Sequence, residues 1–321
     1  MDEMMDVAVI GGGAAGLAAA VTVGRQRRSV VVVDAGSPRN LPADGVHNFL
    51  TREGISPTEL VTTGRAEVEL YGGRVIRGTA SRVDGGVGDF TVTLDDGGTV
   101  RARRLVVTTG VADELPDIAG LSQRWGRDVL HCPFCHGWEV RDRAIVIIAT
   151  SAMSAHQAHM FRQLSADVTI ARHTAPEFGG EQLEALTARD IGVVDGLVTE
   201  VVVRDDRIVG IRLASGVEVA CDAVVVASTG RVGGAVVESL GLTVEEVRVG
   251  DHLMATVIAT DPMGATGVAG VWAAGNVADA RATVVASAAA GVNVAMAVHA
   301  SLMEDDIAEA VAARRAMTPV G

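Results

Sequence analysis

The residues best suited to chemistry stand together in one run, His131-Cys132-Pro133-Phe134-Cys135-His136-Gly137-Trp138-Glu139. Two cysteines at this spacing close a small, strained disulfide ring that reopens readily. A proline and a helix start lower the thiolate pKa, so exchange runs near neutrality. His136 follows the second cysteine, and histidine is the side chain that takes and returns a thiol proton near neutral pH. Cys132, Cys135 and His136 form the candidate catalytic set.

Three other chemistries share parts of this string. Cys-x-x-Cys-His is also the haem c attachment sequence, which needs export, and the chain opens with the acidic Met1-Asp2-Glu3 where a leader needs positive charge. A structural zinc wants about four ligands. The third cysteine, Cys221, sits in an apolar run and reads as a small buried hydrophobe. A zinc deaminase wants proline before the first cysteine and an upstream His-x-Glu, and neither is present. We expect a redox pair and no metal.

A second motif supplies a cofactor site. The apolar run Val7–Ile10 passes directly into Gly11-Gly12-Gly13-Ala14-Ala15-Gly16, then a helical stretch over 17–24, then the apolar run 29–33 closed by Asp34. Asp34 lies about 18 residues past Gly16, near the ~20 of a dinucleotide fingerprint. Gly11 permits the tight turn, Gly13 lets backbone approach a pyrophosphate, and Gly16 allows close helix–strand packing. The helix start offers free N–H groups to phosphate, and Asp34 accepts from a ribose.

These motifs need elements to carry them. Residues 74–107 read as an antiparallel meander of four strands (74–76, 79–83, 90–94, 100–107) with a hairpin turn at Asp95-Asp96-Gly97-Gly98. The last strand runs into Thr109-Gly110. The pattern then repeats: a strand at 144–148, a helix at 154–164, a strand at 167–170, a meander (198–203, 208–213, 217–219), and an apolar strand at 223–228 entering Thr229-Gly230. A third part, 241–321, ends in a helical stretch over 286–302. The expected class is α/β, with two Rossmann-like dinucleotide-binding domains, each a parallel sheet plus a meander.

Composition narrows the field. The chain has 321 residues, 48% hydrophobic and 21% charged, which suits two folded domains. The net charge of −13 repels phosphate backbones and anionic membranes, so neither nucleic acid nor a membrane is expected as a partner. All 27 basic residues are arginine, which excludes Schiff-base chemistry and the Walker lysine. The apolar stretch 7–23 is broken by three glycines and reads as strand plus helix rather than a span. A cytoplasmic location is expected.

Over essentially its whole length the chain resembles the low-molecular-weight thioredoxin reductases. The likeness rests on IGGGAAGLAAA, His47-Asn48-Phe49, the Thr-Gly strand end, CPFCHGWE, and GVWAAGNV at Gly270–Val277. It implies FAD held by Gly11, Gly13, Ala14, Ala15, Gly16, Asp34, Ala35, Asn40, His47, Asn48, Val83, Thr109, Gly110, Gly275 and Asn276. Backbone N–H groups near Thr283 and Val284 would meet the flavin's pyrimidine edge. Asn276 stands where the family usually has Asp. The resemblance also implies Cys132 as the exchanging sulfur, Cys135 as the flavin-side sulfur, and a homodimer. The implied division is an FAD domain of residues 1–112 and 243–321 around an inserted domain of residues 113–242 carrying the redox pair.

Departures from the family pattern fall at two places, the expected NADPH site and the residue after the cysteine pair. Where the family's second Rossmann turn reads GxGxxA, this chain reads Ala149-Thr150-Ser151-Ala152-Met153-Ser154, with every glycine gone. Where the family has His-Arg-Arg for the 2′-phosphate, it reads Ala171-Arg172-His173. Weak or absent NADPH binding is expected. The family's Asp after the second cysteine is His136 here. Both changes resemble the branch that oxidises dithiols, the gliotoxin- and holomycin-forming oxidases. That branch implies a thiol substrate (a small-molecule dithiol, or a protein thiol), oxygen as acceptor and hydrogen peroxide as product. The competing readings are a thioredoxin reductase fed by NADPH or ferredoxin, and a non-enzymatic flavoprotein redox sensor.

Overall fold

The computed structural model describes residues 3–317; residues 1–2 and 318–321 of the expected first domain lie outside it. The chain opens with β1 (Met4–Ile10), α1 (Ala14–Arg25), β2 (Val30–Asp34), α2 (Pro57–Leu70), β3 (Arg74–Arg77), β4 (Ala80–Gly86), β5 (Asp89–Leu94) and β6 (Thr99–Val107). These strands form one sheet in the order β3-β2-β1-β6-β5-β4. β1 pairs parallel with β2 and β6.

The first strand of the expected meander is corrected here. Residues 74–77 pair parallel with β2 and extend the Rossmann sheet, and only β4, β5 and β6 are antiparallel neighbours. The reason is α2, capped by the Ser56 hydroxyl accepting from the Glu59 N–H and carrying Pro57 in its first turn. It supplies the crossover that a parallel β3 requires.

Both faces of this sheet are covered. Val7 and Val9 point to one core with Leu17 and Val23 of α1, while Ala8 and Ile10 point to the other with Phe90 and Val92. That alternation is why the parallel strands read as unbroken apolar runs.

A short linker strand, β7 (Ala112–Glu114), leads to the second unit: β8 (Val129–Leu130), α3 (Pro133–His136), β9 (Ile145–Ile148), α4 (Ser154–Phe161), β10 (Val168–Arg172), α5 (Gly180–Thr187) and β11 (Gly192–Asp195). β12 (Val198–Arg204), β13 (Arg207–Leu213), β14 (Glu218–Ala220) and β15 (Ala223–Val226) complete it. The sheet order is β11-β10-β9-β15-β8, and β12-β13-β14 form a separate sheet. So the repeat is real but its two meanders differ: the first extends its parallel sheet and the second stands alone. Cys221 falls between β14 and β15, 3% exposed, and burial pushes its thiol up to about 12.

The chain returns through β16 (Thr229–Arg231), which pairs antiparallel with β7. α6 (Ala235–Ser239), β17 (Val244–Val249), β18 (His252–Ile258), β19 (Val271–Ala273) and α7 (Val284–Met317) follow. β17, β18, β16 and β7 make a four-stranded sheet at the crossing. Val236, Val237 and Leu242 pack with Ala8 and Phe90 in one core, and the Val83 N–H donates to Ser239 Oγ. After β16, Gly234 turns the chain into α6 with φ 100°.

β19 pairs parallel with the C-terminal end of β6, on the edge of β6 opposite β1. α7 outruns the expected 286–302. By length and composition it is long and apolar enough to cross a bilayer, and its first half packs Val294, Ala295, Val298 and Leu302 into the core.

Candidate active site

Two clusters of candidate residues emerge, at opposite ends of one chemistry. The first lies at the C-terminal ends of β2, β1, β6 and β19, the ligand edge of an open parallel sheet. Gly11 has φ 109°, and a Cβ there would sit 2.3 Å from the Thr108 carbonyl oxygen. A Cβ on Gly16 would lie 1.9 Å from the Gly11 oxygen. A Cβ on Gly13 would meet nothing within 4 Å. The first two glycines are required by the protein itself, whereas the third faces open space at the uncapped start of α1, which has no acidic residue in its first turn. That is the cradle a pyrophosphate needs.

Asp34 is 9% exposed. It accepts from the Gly12 N–H at 3.1 Å and is paired with Arg65. Arg65 Nε is buried beside it without a hydrogen-bond partner among the described residues. The residues present therefore fit a dinucleotide: a bare backbone gap, free helix N–H groups, an oriented carboxylate and an orphaned donor.

The other candidates at this edge are placed as follows. Ala35 is exposed and Asn40 half-buried. Thr109 and Gly110 line an open cleft of about 440 Å³ that reaches Arg231–Gly234 of the return crossing. A Cβ on Gly275 would come 2.9 Å from the Ala15 Cβ, so β19 delivers its loop to the start of α1. The Asn276 amide donates to the carbonyls of Asp279, Ala280 and Ala282. Its NH₂ is committed to the loop before α7, which leaves Oδ1 for a ligand hydroxyl. Thr283 precedes α7, its hydroxyl accepting from the Ala286 N–H, and Val284 is the first helical residue.

The second cluster is the thiol end. Cys132 caps α3 with Pro133 in the first turn, and the Cys135 and His136 N–H groups both donate to the Cys132 carbonyl. The Cys135 thiol donates to the Cys132 sulfur at 2.6 Å. That bond, with burial opposing it and the Cys135 and Phe134 N–H groups assisting, brings Cys132 down to about 7. The same bond and burial hold Cys135 far above an ordinary thiol. Burial lowers His136, while Glu139 works the other way. A neutral imidazole beside the thiols is the form that accepts a proton.

The structure places His47 and Asn48 at this end. The Asn48 side chain donates to the Phe134 carbonyl at 2.6 Å, and His47 Nε2 lies 3.4 Å from Glu139 Oε1. Residues without a sequence signal complete the surroundings. Arg39 holds Asp113 of β7 through two hydrogen bonds of 2.7 and 2.6 Å, and Asp113 also accepts from Ser228. The Arg39 charge favours the thiolate at Cys132. Gln157 of α4 donates to the His131 carbonyl. Phe134 between the cysteines and Trp138 after them are 71% and 65% exposed, with the Arg141 guanidinium 4.2 Å over the Trp138 ring.

At the second Rossmann turn, Ser151 and Ser154 are buried. Arg172 at the end of β10 is engaged by Asp195 at 2.6 Å and by Glu177 at 3.4 Å. His173 Nδ1 accepts from the Val198 N–H.

Residues 5–301 match the pyridine nucleotide-disulphide oxidoreductase family. The crystal structure of HlmI superimposes with a TM-score of 0.89, at 44% identity over 99% of each chain. An oxidoreductase from Agrobacterium tumefaciens gives a TM-score of 0.87 at 34% identity, covering 94% of this chain and 99% of that one. The thioredoxin reductase sirT of Leptosphaeria maculans is 30% identical, covering 95% of this chain and 97% of its own. The two-unit Rossmann-like fold expected from sequence is the fold of these proteins.

Proposed function

This chain belongs to the pyridine nucleotide-disulphide oxidoreductases, flavin-dependent enzymes that bind FAD, and from that premise we propose that it is a dithiol oxidase. It takes two electrons from a small-molecule dithiol, with oxygen as final acceptor and hydrogen peroxide as product. The observation that carries this reading is the state of the second nucleotide turn. Its glycines are replaced by residues bearing side chains, and Arg172, the permanent cation at the end of β10, is already neutralised by Asp195 and Glu177. A 2′-phosphate arriving there must compete with both carboxylates for the guanidinium. NADPH is a poor electron source for such a site, so electrons enter as thiols.

The residues act in sequence. A substrate thiol gives its proton to His136 and attacks Cys132, and Cys135 departs. The second substrate thiol attacks the mixed disulfide, expelling Cys132. Cys132 titrates at about 7 and is a good leaving thiolate. FAD, held by the first glycine turn, Asp34 and the loops after β6 and β19, supplies the two-electron exit. Cys135, the flavin-side sulfur, holds the remaining thiol proton in contact with the Cys132 thiolate, and that proton must leave both sulfurs before the disulfide re-forms.

The working form is a homodimer: the outer face of α7 exposes Val292, Met296, Met303, Ile307 and Val311 at helical spacing. A monomer mass by light scattering at micromolar concentration removes that part.

Anaerobic mixing tests the main reading. Dithiothreitol should bleach the flavin absorbance and NADPH should not. Readmitted air should restore the colour with one hydrogen peroxide per dithiol. Fast bleaching by NADPH would make the chain a thioredoxin reductase running the other way.

A further inference from the structure

Around the redox pair stand three imidazoles, those of His47, His131 and His136, and the thiol–disulfide exchange uses one. The His47 and His136 rings meet edge to face, centroids 6.2 Å apart and planes at 84°. His136 Nε2 is closed off from solvent and has no hydrogen-bond partner among the described residues. A proton placed on His136 has no direct exit to water from that atom.

His47 is built to provide one. Its Nδ1 lies 2.6 Å from Glu53 Oε1. The Glu53 carboxyl is held below its usual range, first by the His47 bond and then by the Asn48 N–H. An ionised carboxylate only accepts, so Nδ1 carries the hydrogen and Nε2 is left as the basic lone pair. That lone pair faces Glu139, 3.4 Å away, whose charge stabilises an arriving proton. A Cβ on Gly45 would sit 3.2 Å from His47 Nε2, so the loop is shaped around this ring.

Exposure rises in one direction along the set. The His47 side chain is 21% exposed, Glu139 is 40% and Glu53 is 64%. The charged and titratable groups facing the two rings are Glu53, Glu139 and Asp44, together with each other. All three carboxylates favour a proton in transit.

We propose that His47, oriented by Glu53, is a positioning and relay residue: the two rings, in edge contact here, close to hydrogen-bond distance when substrate binds, and His47 takes the substrate-derived proton from His136 and passes it to solvent. The proposal rests on the dithiol-oxidase reading. The exchange step balances as follows. A substrate dithiol and the Cys132–Cys135 disulfide give a substrate disulfide, a Cys132 thiolate, a Cys135 thiol and one proton, with two electrons moved from substrate sulfur to enzyme sulfur. That proton is the one relayed. It gives His47 a task at the thiol end in place of the flavin contact that the family resemblance implies.

The experiment is anaerobic reduction of the FAD-loaded enzyme by dithiothreitol, followed by flavin absorbance across pH, for the wild type, His47→Gln and Glu53→Gln. His47→Gln should retain flavin and the alkylation rate of Cys132, yet be reduced about tenfold more slowly or worse. Added imidazole should restore its rate, which a merely structural defect would not permit. Glu53→Gln should be slower by severalfold and accelerate with buffer concentration. The relay is overturned if His47→Gln stays within about twofold of wild type, or if it is slow and imidazole does not help. If His47→Gln loses its flavin, an unchanged Glu53→Gln overturns the relay equally. A wild type that dithiothreitol does not reduce would instead bring down the dithiol-oxidase reading itself.

Discussion

The side-chain amide of Asn48 donates to the carbonyl oxygen of Phe134 at 2.6 Å, across 86 positions of sequence. Phe134 stands between the two cysteines, so a loop of the first unit holds the redox turn of the second in place. Asn48 has φ 59°, where glycine is at ease and alanine is strained. Asn48→Gly therefore removes the hydrogen bond with little backbone cost. The destabilisation is about 0.5–1.5 kcal/mol, a fall in Tm of roughly 1–2 °C for a chain this size. Reduction by a dithiol should slow in step. A variant equal to wild type in both measurements would show that this bond does not position the turn.

The reduced enzyme should be alkylated at Cys132 before Cys135. The Cys135 thiol donates to the Cys132 sulfur and brings it to about 7. Labelling by iodoacetamide, read by peptide mass spectrometry, should rise through neutral pH. Cys135→Ala removes the largest cause of the shift, so the thiolate is less favoured and the midpoint moves up. First labelling at Cys135 would reverse the roles.

Gly13 and Gly16 should answer differently to a side chain. A Cβ at Gly13 enters open space, and one at Gly16 lies 1.9 Å from the Gly11 oxygen. Gly13→Val should fold and purify colourless, because the side chain fills the gap a pyrophosphate needs. Gly16→Val should lose thermal stability as well as flavin. A yellow Gly13→Val protein with full flavin content would refute the cradle.

The second half of α7 is anchored by a buried guanidinium. Arg104 is 2% exposed and reaches Asp305 at 2.6 Å and the Ser301 hydroxyl at 3.1 Å. Asp305→Ala leaves that charge uncompensated. The cost should be ~1–3 kcal/mol in urea unfolding, below that of a fully enclosed pair because Asp305 is 40% exposed. Adding Arg104→Met should recover part of it. Two destabilisations that simply add would show the pair is not coupled.

The local devices of this protein are legible in its residue types and spacing. The turn from Gly11 to Gly16, Asp34 at the end of its strand, and the cysteine pair with His136 are each set by backbone sterics over a few residues. The alternating cores were legible for the same reason, since a strand buried on both faces must be apolar throughout. What meets across units was decided by the three-dimensional packing. It placed residues 74–77 beside β2, and it returned the chain at β16, so that α6 belongs to the first core. It set Asn48 against Phe134 and Arg39 against Asp113. None of these pairs shares a helix face or a strand register. Their distances follow from sheet order and from where the two linkers cross, and those depend on summed packing that no local spacing encodes.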